Sequence, residues 1–430
     1  MTRFLGIDLT EGVRRRHLLA YFCAAFISSS YAGALSMLQP GLLQVMAIDR
    51  ARQATLTGYL SAMQEIILIV LLGVMGALAD RYGRKPVYVF GLLTTAAGFA
   101  LYPHASTISE LVIYRIVVAC GSAAMIGMMV TVIADYSRNS TRGKANGLQG
   151  VVATLGAFLP PMLGALPKLF VDRGYDELAA QQLTFATAGS LGVIGALVAG
   201  IGLAPHIGRA GELARESIAS MLAEGARAAR DPGIALSYGA AFISRGDLAI
   251  TGAFMSLWLV QFGTGVLGMQ ASQAMYALAV PRVLVVVLGA LVGALAMGYI
   301  SDRVSRVTAV SMASGLAALV YLSIFLVDDP TAPWVFALLA VMGVAEISAF
   351  VSSQALVGER ARADRRGAII GLFGVAGAVG ILIGTAGGGW LFANIGPSAP
   401  FVLFGLLNGA VFIWSLRVRA RVNSGSAALP

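Results

Sequence analysis

The chain has 430 residues, of which 58% are hydrophobic and only 12% charged, with a mean hydropathy of +0.81. Soluble domains carry about 25% charged residues, so a soluble globular protein is excluded and a polytopic membrane protein follows. The net charge of +9 suggests nucleic acid at first sight, but its distribution along the chain describes topology, not a binding patch.

Twelve apolar runs, each long enough to cross a hydrocarbon core of about 30 Å, predict helices at 17–38, 56–79, 86–103, 110–134, 146–166, 183–204, 234–260, 274–300, 307–327, 333–356, 368–393 and 398–416. The first and fifth have room to extend further. Arg14-Arg15-Arg16 before the first run imitates a signal peptide. That run is too long for a signal and no small-residue cleavage site follows it, so it reads as a retained span. With the N-terminus inside, the tails and loops on that side hold 23 of the 30 Lys and Arg residues; the other side holds only Arg50, Arg52, Lys168 and Arg173. This is the positive-inside asymmetry, and it predicts both termini in the cytoplasm; the short loops without accessory domains point to the inner membrane of a bacterial cell. The segment 205–233 between the sixth and seventh spans is polar. Leu213, Ser217, Ile218, Met221 and Leu222 share a helical face there, which fits either an amphipathic surface helix or a solvated linker, with Asp231-Pro232 capping and starting the seventh span. The expected division is therefore a six-span bundle at 1–204, a cytoplasmic loop at 205–233 and a second bundle at 234–430.

The second half can be laid on the first. Gly76-Ala77-Leu78-Ala79-Asp80-Arg81-Tyr82-Gly83-Arg84-Lys85 follows the second span, and a reduced copy, Gly298-Tyr299-Ile300-Ser301-Asp302-Arg303-Val304-Ser305-Arg306, follows the eighth. Asp80 and Asp302 are 222 positions apart. Asp135, Arg142, Gly143 and Gly147 meet Glu359, Arg366, Gly367 and Gly371 at 224. Two six-helix halves in the same orientation are one of the known transporter plans, with the site near mid-membrane between them.

These motifs resemble the major facilitator superfamily, and the resemblance covers the whole chain. The family's pattern for the loop between spans 2 and 3 is met in full by Gly76, Leu78, Asp80, Arg81, Gly83, Arg84 and Lys85. The resemblance implies a cytoplasmic gate at Gly76, Asp80, Arg81, Gly83 and Arg84, with Asp302 and Arg303 in the second copy. A purely topological role for the basic residues is the competing reading. Span 4 carries Leu111-Val112-Ile113-Tyr114-Arg115 and Gly121-Ser122-Ala123-Ala124, similar to the family's helix with a buried Arg linked to proton coupling; Val118 and Ala119 replace its usual Gln and Gly. Span 5 carries Gly147, Gly156, Pro160, Pro161, Gly164 and Ala165 at the spacing of the family's antiporter motif, with Pro160 and Ala165 in place of Gly. Span 11 restores Gly371, Gly380, Gly384, Gly388 and Gly389. Small residues let helix backbones approach closely, so packing alone is an alternative to a directional role.

Six ionisable residues lie well inside spans: Glu65, Arg115, Arg245, Asp247, Arg282 and Glu346. A charge at mid-bilayer costs about 2.5–3.5 kcal/mol on insertion scales, so these groups must pair, be neutralised or face water. The family assigns spans 1, 4, 7 and 10 to the central cavity, which places Arg115, Arg245, Asp247 and Glu346 on the solute and proton path, with Glu65 and Arg282 at a moving seam. Structural ion pairs are the alternative for each. Tyr21, Phe26, Tyr31, Phe242, Phe254 and Trp258 are candidates for an apolar cargo surface or for plain helix packing. Enzyme chemistry lacks its residues: His17, His104 and His206 are not spaced as metal ligands, and there is no phosphate-cradling Gly-Lys-Ser/Thr loop. No cofactor beyond a proton gradient is expected. The partners expected are the bilayer, a small solute and protons, with no nucleic acid, and the chain acting as a monomer. The expected function is proton-coupled export of a small amphipathic compound. Proton-coupled uptake of an organic acid is the alternative, and a receptor or scaffold that has lost transport is the alternative of another class.

Overall fold

In the computed structural model, which describes residues 3–205, 218–361 and 365–426, all twelve expected spans are helical. A short hairpin, β1 (Arg3–Phe4) and β2 (Ile7–Asp8), precedes them. The first half then supplies α1 (Arg15–Val45), α2 (Arg50–Tyr82), α3 (Arg84–Leu101), α4 (Ile108–Tyr136), α5 (Arg142–Gly156), α6 (Leu159–Val171) and α7 (Glu177–Gly202). After the short helix α8 (Ile218–Ala228) come α9 (Pro232–Gly265), α10 (Ala271–Ala274), α11 (Val280–Ser301), α12 (Arg306–Ser323), α13 (Pro333–Arg360), α14 (Arg366–Asn394) and α15 (Ala399–Ser426).

Local chemistry sets the helix starts. The side chains of Thr107, Asp176 and Ser305 each accept from a backbone N–H three residues on, satisfying donors that the first helical turn leaves open. Asp231 does the same for Gly233 and Ile234 at 2.7 and 3.2 Å, so the Asp-Pro start expected for the seventh span is present. The fifth span is two helices, α5 and α6, broken at Ala157 and Phe158 ahead of Pro160-Pro161, which lack the N–H groups a continuous helix needs there. The eighth span is likewise interrupted by a π-helical turn at Met275–Ala279 between α10 and α11.

The chain folds into two compact units. Unit 1 takes residues 1–48, 63–213 and 263–280; unit 2 takes 49–62, 214–262 and 281–430. Each therefore holds most of one half of the chain and a short piece of the other. Within unit 1 the core is an aromatic stack: Tyr31 and Phe99 rings lie 4.8 Å apart, Phe99 and Phe185 6.0 Å, and Tyr102 and Phe185 5.7 Å. Within unit 2, Trp258, Phe401 and Tyr321 form the matching cluster, with ring separations of 6.2 and 6.3 Å. Also in unit 2, α8 lies against α14: a Cβ at Gly225 would stand 2.7 Å from the Ala368 carbonyl oxygen, and Glu224 pairs with Arg365 at 3.2 Å. Of the apolar face read in the central connection, Leu213 and Ser217 lie outside the described residues; the part from Ile218 onward is helical.

Candidate functional site

The repeated charged turns are two copies of one three-residue arrangement. In unit 1, Arg84 donates to Asp80 at 2.6 Å and to Asp135, at the end of α4, at 3.0 Å. In unit 2, Arg306 pairs with Asp302 at 3.2 Å and with Glu359, at the end of α13, at 3.5 Å. The sequence aligns all six of these residues, yet nothing in the repeat itself says that the arginine is the common bridge. Gly83 turns the first copy with φ +98°, a backbone region essentially reserved for glycine. The neighbouring Arg81 and Arg303 do not join the bridges; each lies over a tyrosine ring, Tyr82 and Tyr299 respectively. Gly76 has open space where a Cβ would be.

Asp247 and Glu346, expected to neutralise or pair, are both buried within unit 2. No ion pair to either is found among the described residues. Asp247 on α9 instead accepts two hydrogen bonds from the Asn408 side-chain amide of α15, at 2.9 and 3.1 Å. Glu346 on α13 accepts from the Tyr321 hydroxyl of α12 at 3.1 Å, and that hydroxyl also contacts the Thr251 hydroxyl of α9 at 2.9 Å. Neutral donors thus surround the two carboxyl groups, so either can gain or lose a proton without breaking a salt bridge. Arg245, two positions before Asp247, points elsewhere, with its guanidinium 5.6 Å from the Phe350 ring centre. Arg282 donates to the Pro330 carbonyl oxygen at 2.8 Å and sits over the Phe336 ring.

Unit 1 holds a second buried polar cluster. Arg115 on α4, 4% exposed, donates to the Gln39 side-chain oxygen of α1 at 3.0 Å, and the Tyr102 hydroxyl donates to the same atom at 2.8 Å. Arg115 Nε has no hydrogen-bond partner among the described residues. Glu65 is half-buried on α2 in the same unit. Buried charges are therefore met largely by neutral dipoles: Gln39, Tyr102, Thr251, Tyr321 and Asn408 complete both clusters. Sequence reading singled out none of these five, because amides and hydroxyls carry no motif; the available signal was a polar side chain inside a span near another span's charge.

The glycines and prolines of spans 5 and 11 sit at helix contacts within each unit. A Cβ at Gly156 would lie 2.7 Å from the Phe26 carbonyl oxygen of α1, and one at Gly164 would overlap Met37 of the same helix. Pro160 packs against Gly33 of α1, and Pro161 is buried beside it. In unit 2, Cβ atoms at Gly384 and Gly388 would lie 3.1 Å from Phe404 and 2.8 Å from Phe254. Of the six candidate cargo aromatics, Tyr21, Tyr31, Phe254 and Trp258 are buried in helix packing, and Phe26 and Phe242 are partly exposed. Ser28, Ser29 and Ser30 each donate to a carbonyl one turn back.

Twelve helices long and apolar enough to cross a membrane among the described residues, a repeated charged turn and buried polar clusters fit a polytopic membrane transporter. A model of the Major Facilitator Superfamily matches residues 18–385 and, separately, 237–430. The chain belongs to that superfamily, whose members are membrane transporters and not enzymes. Magnetosome protein MamH of Paramagnetospirillum magneticum (strain ATCC 700264 / AMB-1) is 25% identical over 419 residues, covering 94% of this chain and 92% of that protein. Magnetosome protein MamZ of Magnetospirillum gryphiswaldense (strain DSM 6361 / JCM 21280 / NBRC 15271 / MSR-1) is 28% identical; the match covers 87% of this chain but only 58% of that longer protein. Multidrug resistance protein 3 of Bacillus subtilis (strain 168) is 33% identical over 108 residues, a quarter of this chain and 21% of that protein. Among solved structures, the nucleoside transporter NupG superposes with a TM-score of 0.71 at 16% identity, covering 94% of this chain and 98% of that one; this likeness concerns the fold alone.

Proposed function

We propose that this chain exports a small organic solute in exchange for protons, by alternating access in the cell inner membrane with both termini cytoplasmic. The observation that carries the reading is the pair of buried carboxyl groups, Asp247 and Glu346, held by Asn408 and by Tyr321 with Thr251 and by no cation among the described residues. A charge at such depth is costly, so protonation is the natural way to discharge these groups, and a conformational change that alters their hydration couples that proton to cargo. Export is favoured by the Gly-Pro break of the fifth span and by the partial similarity to a multidrug resistance protein. A second reading, symport of an organic acid, is favoured by the open Nε of Arg115, because a guanidinium suits a carboxylate partner. The proposed solute and proton path keeps all six expected residues, Arg115, Arg245, Asp247, Glu346, Glu65 and Arg282, with the two carboxyl groups carrying the proton.

The test is internal pH in proteoliposomes carrying a trapped dye. Under an inside-acid gradient, a lipophilic cation added outside should alkalinise the lumen beyond empty vesicles, and Asp247→Asn or Glu346→Gln should abolish the signal. Protein-dependent acidification on adding an organic acid without the gradient would instead establish symport. Cargo flux that is unchanged in both carboxyl variants would overturn proton coupling. Cargo binding without flux would mark a receptor.

A further inference from the structure

The first fourteen residues carry no transport motif, yet residues 3–13 are built onto one place in unit 1. Leu5 and Gly6 have φ of +51° and +76° between the paired residues Phe4 and Ile7. A two-residue turn with both central φ positive matches the twist of a tight hairpin. Arg3 and Asp8 pair across it at 3.7 Å, and Arg15 of α1 lies over the Phe4 ring. Ile7, Leu9 and Val13 are buried. Alternate residues of β2 and its extension then bond to the stretch between α4 and α5. Asp8 N donates to Thr141 Oγ1 at 3.0 Å, Arg138 N to the Asp8 carbonyl at 3.0 Å, and Thr10 N to the Tyr136 carbonyl at 3.0 Å. Thr10 Oγ1 donates to the Asp135 carbonyl at 2.8 Å. Leu9 and Ser137 face each other as an antiparallel bridge.

Asp135 is where this matters, because its carboxylate holds Arg84, which holds Asp80. The hairpin grips the backbone of the residue whose side chain anchors the first charged turn. Every partner named here lies in unit 1, so the hairpin can stay docked while that unit moves as a body. We infer that residues 3–13 are a clamp that positions Asp135 for Arg84 and thereby sets how firmly the first charged turn is held. The inference rests on the proposed gate role of that turn for its effect on transport, but the contact itself does not.

Two arms keep those apart. The first needs no cargo: hydrogen exchange in purified protein, comparing wild type with Thr10→Val, which keeps the side-chain shape and removes the donor to Asp135. The clamp requires faster exchange, at least fivefold, both at residues 135–141 and at residues 80–85, with Thr10→Ser restoring wild-type rates. Acceleration confined to residues 3–13 overturns it. The second arm is flux. Thr10→Val should slow transport about fivefold in the wild-type background and have no further effect in Arg84→Gln, since contacts in one network do not add; equal slowing in both backgrounds overturns the link to the turn. Leu9→Cys with Ser137→Cys serves as a control. A non-hydrogen-bonded antiparallel pair places its Cα atoms about 4.5 Å apart, within disulfide reach. Oxidised, this variant should transport at the wild-type rate; arrest on oxidation would show a strap that must release and would overturn the clamp. If the wild type moves no cargo, the exchange arm still decides the contact.

Discussion

In the first charged turn Arg84 bridges Asp80 and Asp135 at 2.6 and 3.0 Å, whereas in the second Arg306 bridges Asp302 and Glu359 at 3.2 and 3.5 Å. The arginine side chain is 15% exposed in the first copy and 26% in the second; the acids are 34% and 29% exposed against 73% and 53%. The first copy is also held from behind by the N-terminal hairpin, through the Asp135 and Tyr136 carbonyls. In the second copy, Arg360, next to Glu359, pairs with Asp231 at 3.9 Å. Duplication has preserved the bridging geometry while the energetics have diverged. Ion pairs between well-exposed groups contribute about 0–1 kcal/mol, because water and salt screen them and long side chains lose entropy. The first turn is thus the more firmly bridged, and the second keeps its form with weaker, more exposed pairs.

The contrast is greatest in the backbone. Gly83 and Ser305 are equivalent at the offset of 222, but Gly83 has φ +98° and ψ 159° while Ser305 has φ −60° and caps α12 by accepting from Thr308 N at 3.2 Å. The same turn is made once by a glycine-only conformation and once by a side-chain cap. Gly83→Ser should therefore destabilise by about 1–3 kcal/mol, the cost of holding a Cβ in that region. Ser305→Gly should cost a few tenths of a kcal/mol, since glycine is itself tolerated at a cap. Thermal unfolding in detergent measures both. Equal shifts would mean that the two turns are not built in different ways.

Next in size is the bridge itself. Arg84→Gln should slow cargo flux about tenfold, roughly 1.4 kcal/mol, and Arg306→Gln no more than two- to threefold, at matched protein per vesicle. A double-mutant cycle sharpens this. Arg84 with Asp135 should couple by about 1 kcal/mol and Arg306 with Glu359 by about 0.3 kcal/mol, the scale of an exposed pair. The reverse order would show that exposure does not govern the strength of these bridges.

Legibility in the sequence followed the same division between pattern and placement. Span number was readable because each crossing needs a run of apolar residues that no short-range contact can disguise. The Asp80–Asp302 and Asp135–Glu359 equivalences were readable because the repeat is recorded at nearly constant offsets, 222 and 224. The hairpin was not read, although Ile7, Leu9, Asp8 and Thr10 alternate between buried and bonding positions as a strand requires; over eight residues that signal is too short to stand out. Asn408, Tyr321 and Gln39 were missed for a different reason. Their roles depend on which spans are neighbours, and a hydroxyl or amide inside an apolar run is equally at home bonding its own helix, as Ser28 and Thr385 do.

The smallest predicted effect lies at the exposed ion pair between α8 and the start of α14. Glu224 and Arg365 are 34% and 51% exposed, so their ion pair belongs to the screened class, and Glu224→Gln removes only its charge. The apposition of α8 and α14 rests instead on Gly225, where the helix backbone meets the Ala368 carbonyl oxygen and the Leu372 side chain too closely for a Cβ, and on the Tyr238 hydroxyl, which donates to the Gly225 carbonyl at 3.2 Å. Glu224→Gln should therefore leave flux within a factor of two of wild type at 150 mM salt. Any difference that appears at low salt should vanish as salt rises, because exposed pairs are screened over about 8 Å under those conditions. Hydrogen exchange across residues 222–228 should likewise be unchanged. A loss of flux from Glu224→Gln as large as that from Arg84→Gln would show that an exposed pair can weigh as much as the half-buried bridge, and the ranking of these ion pairs by exposure would fail.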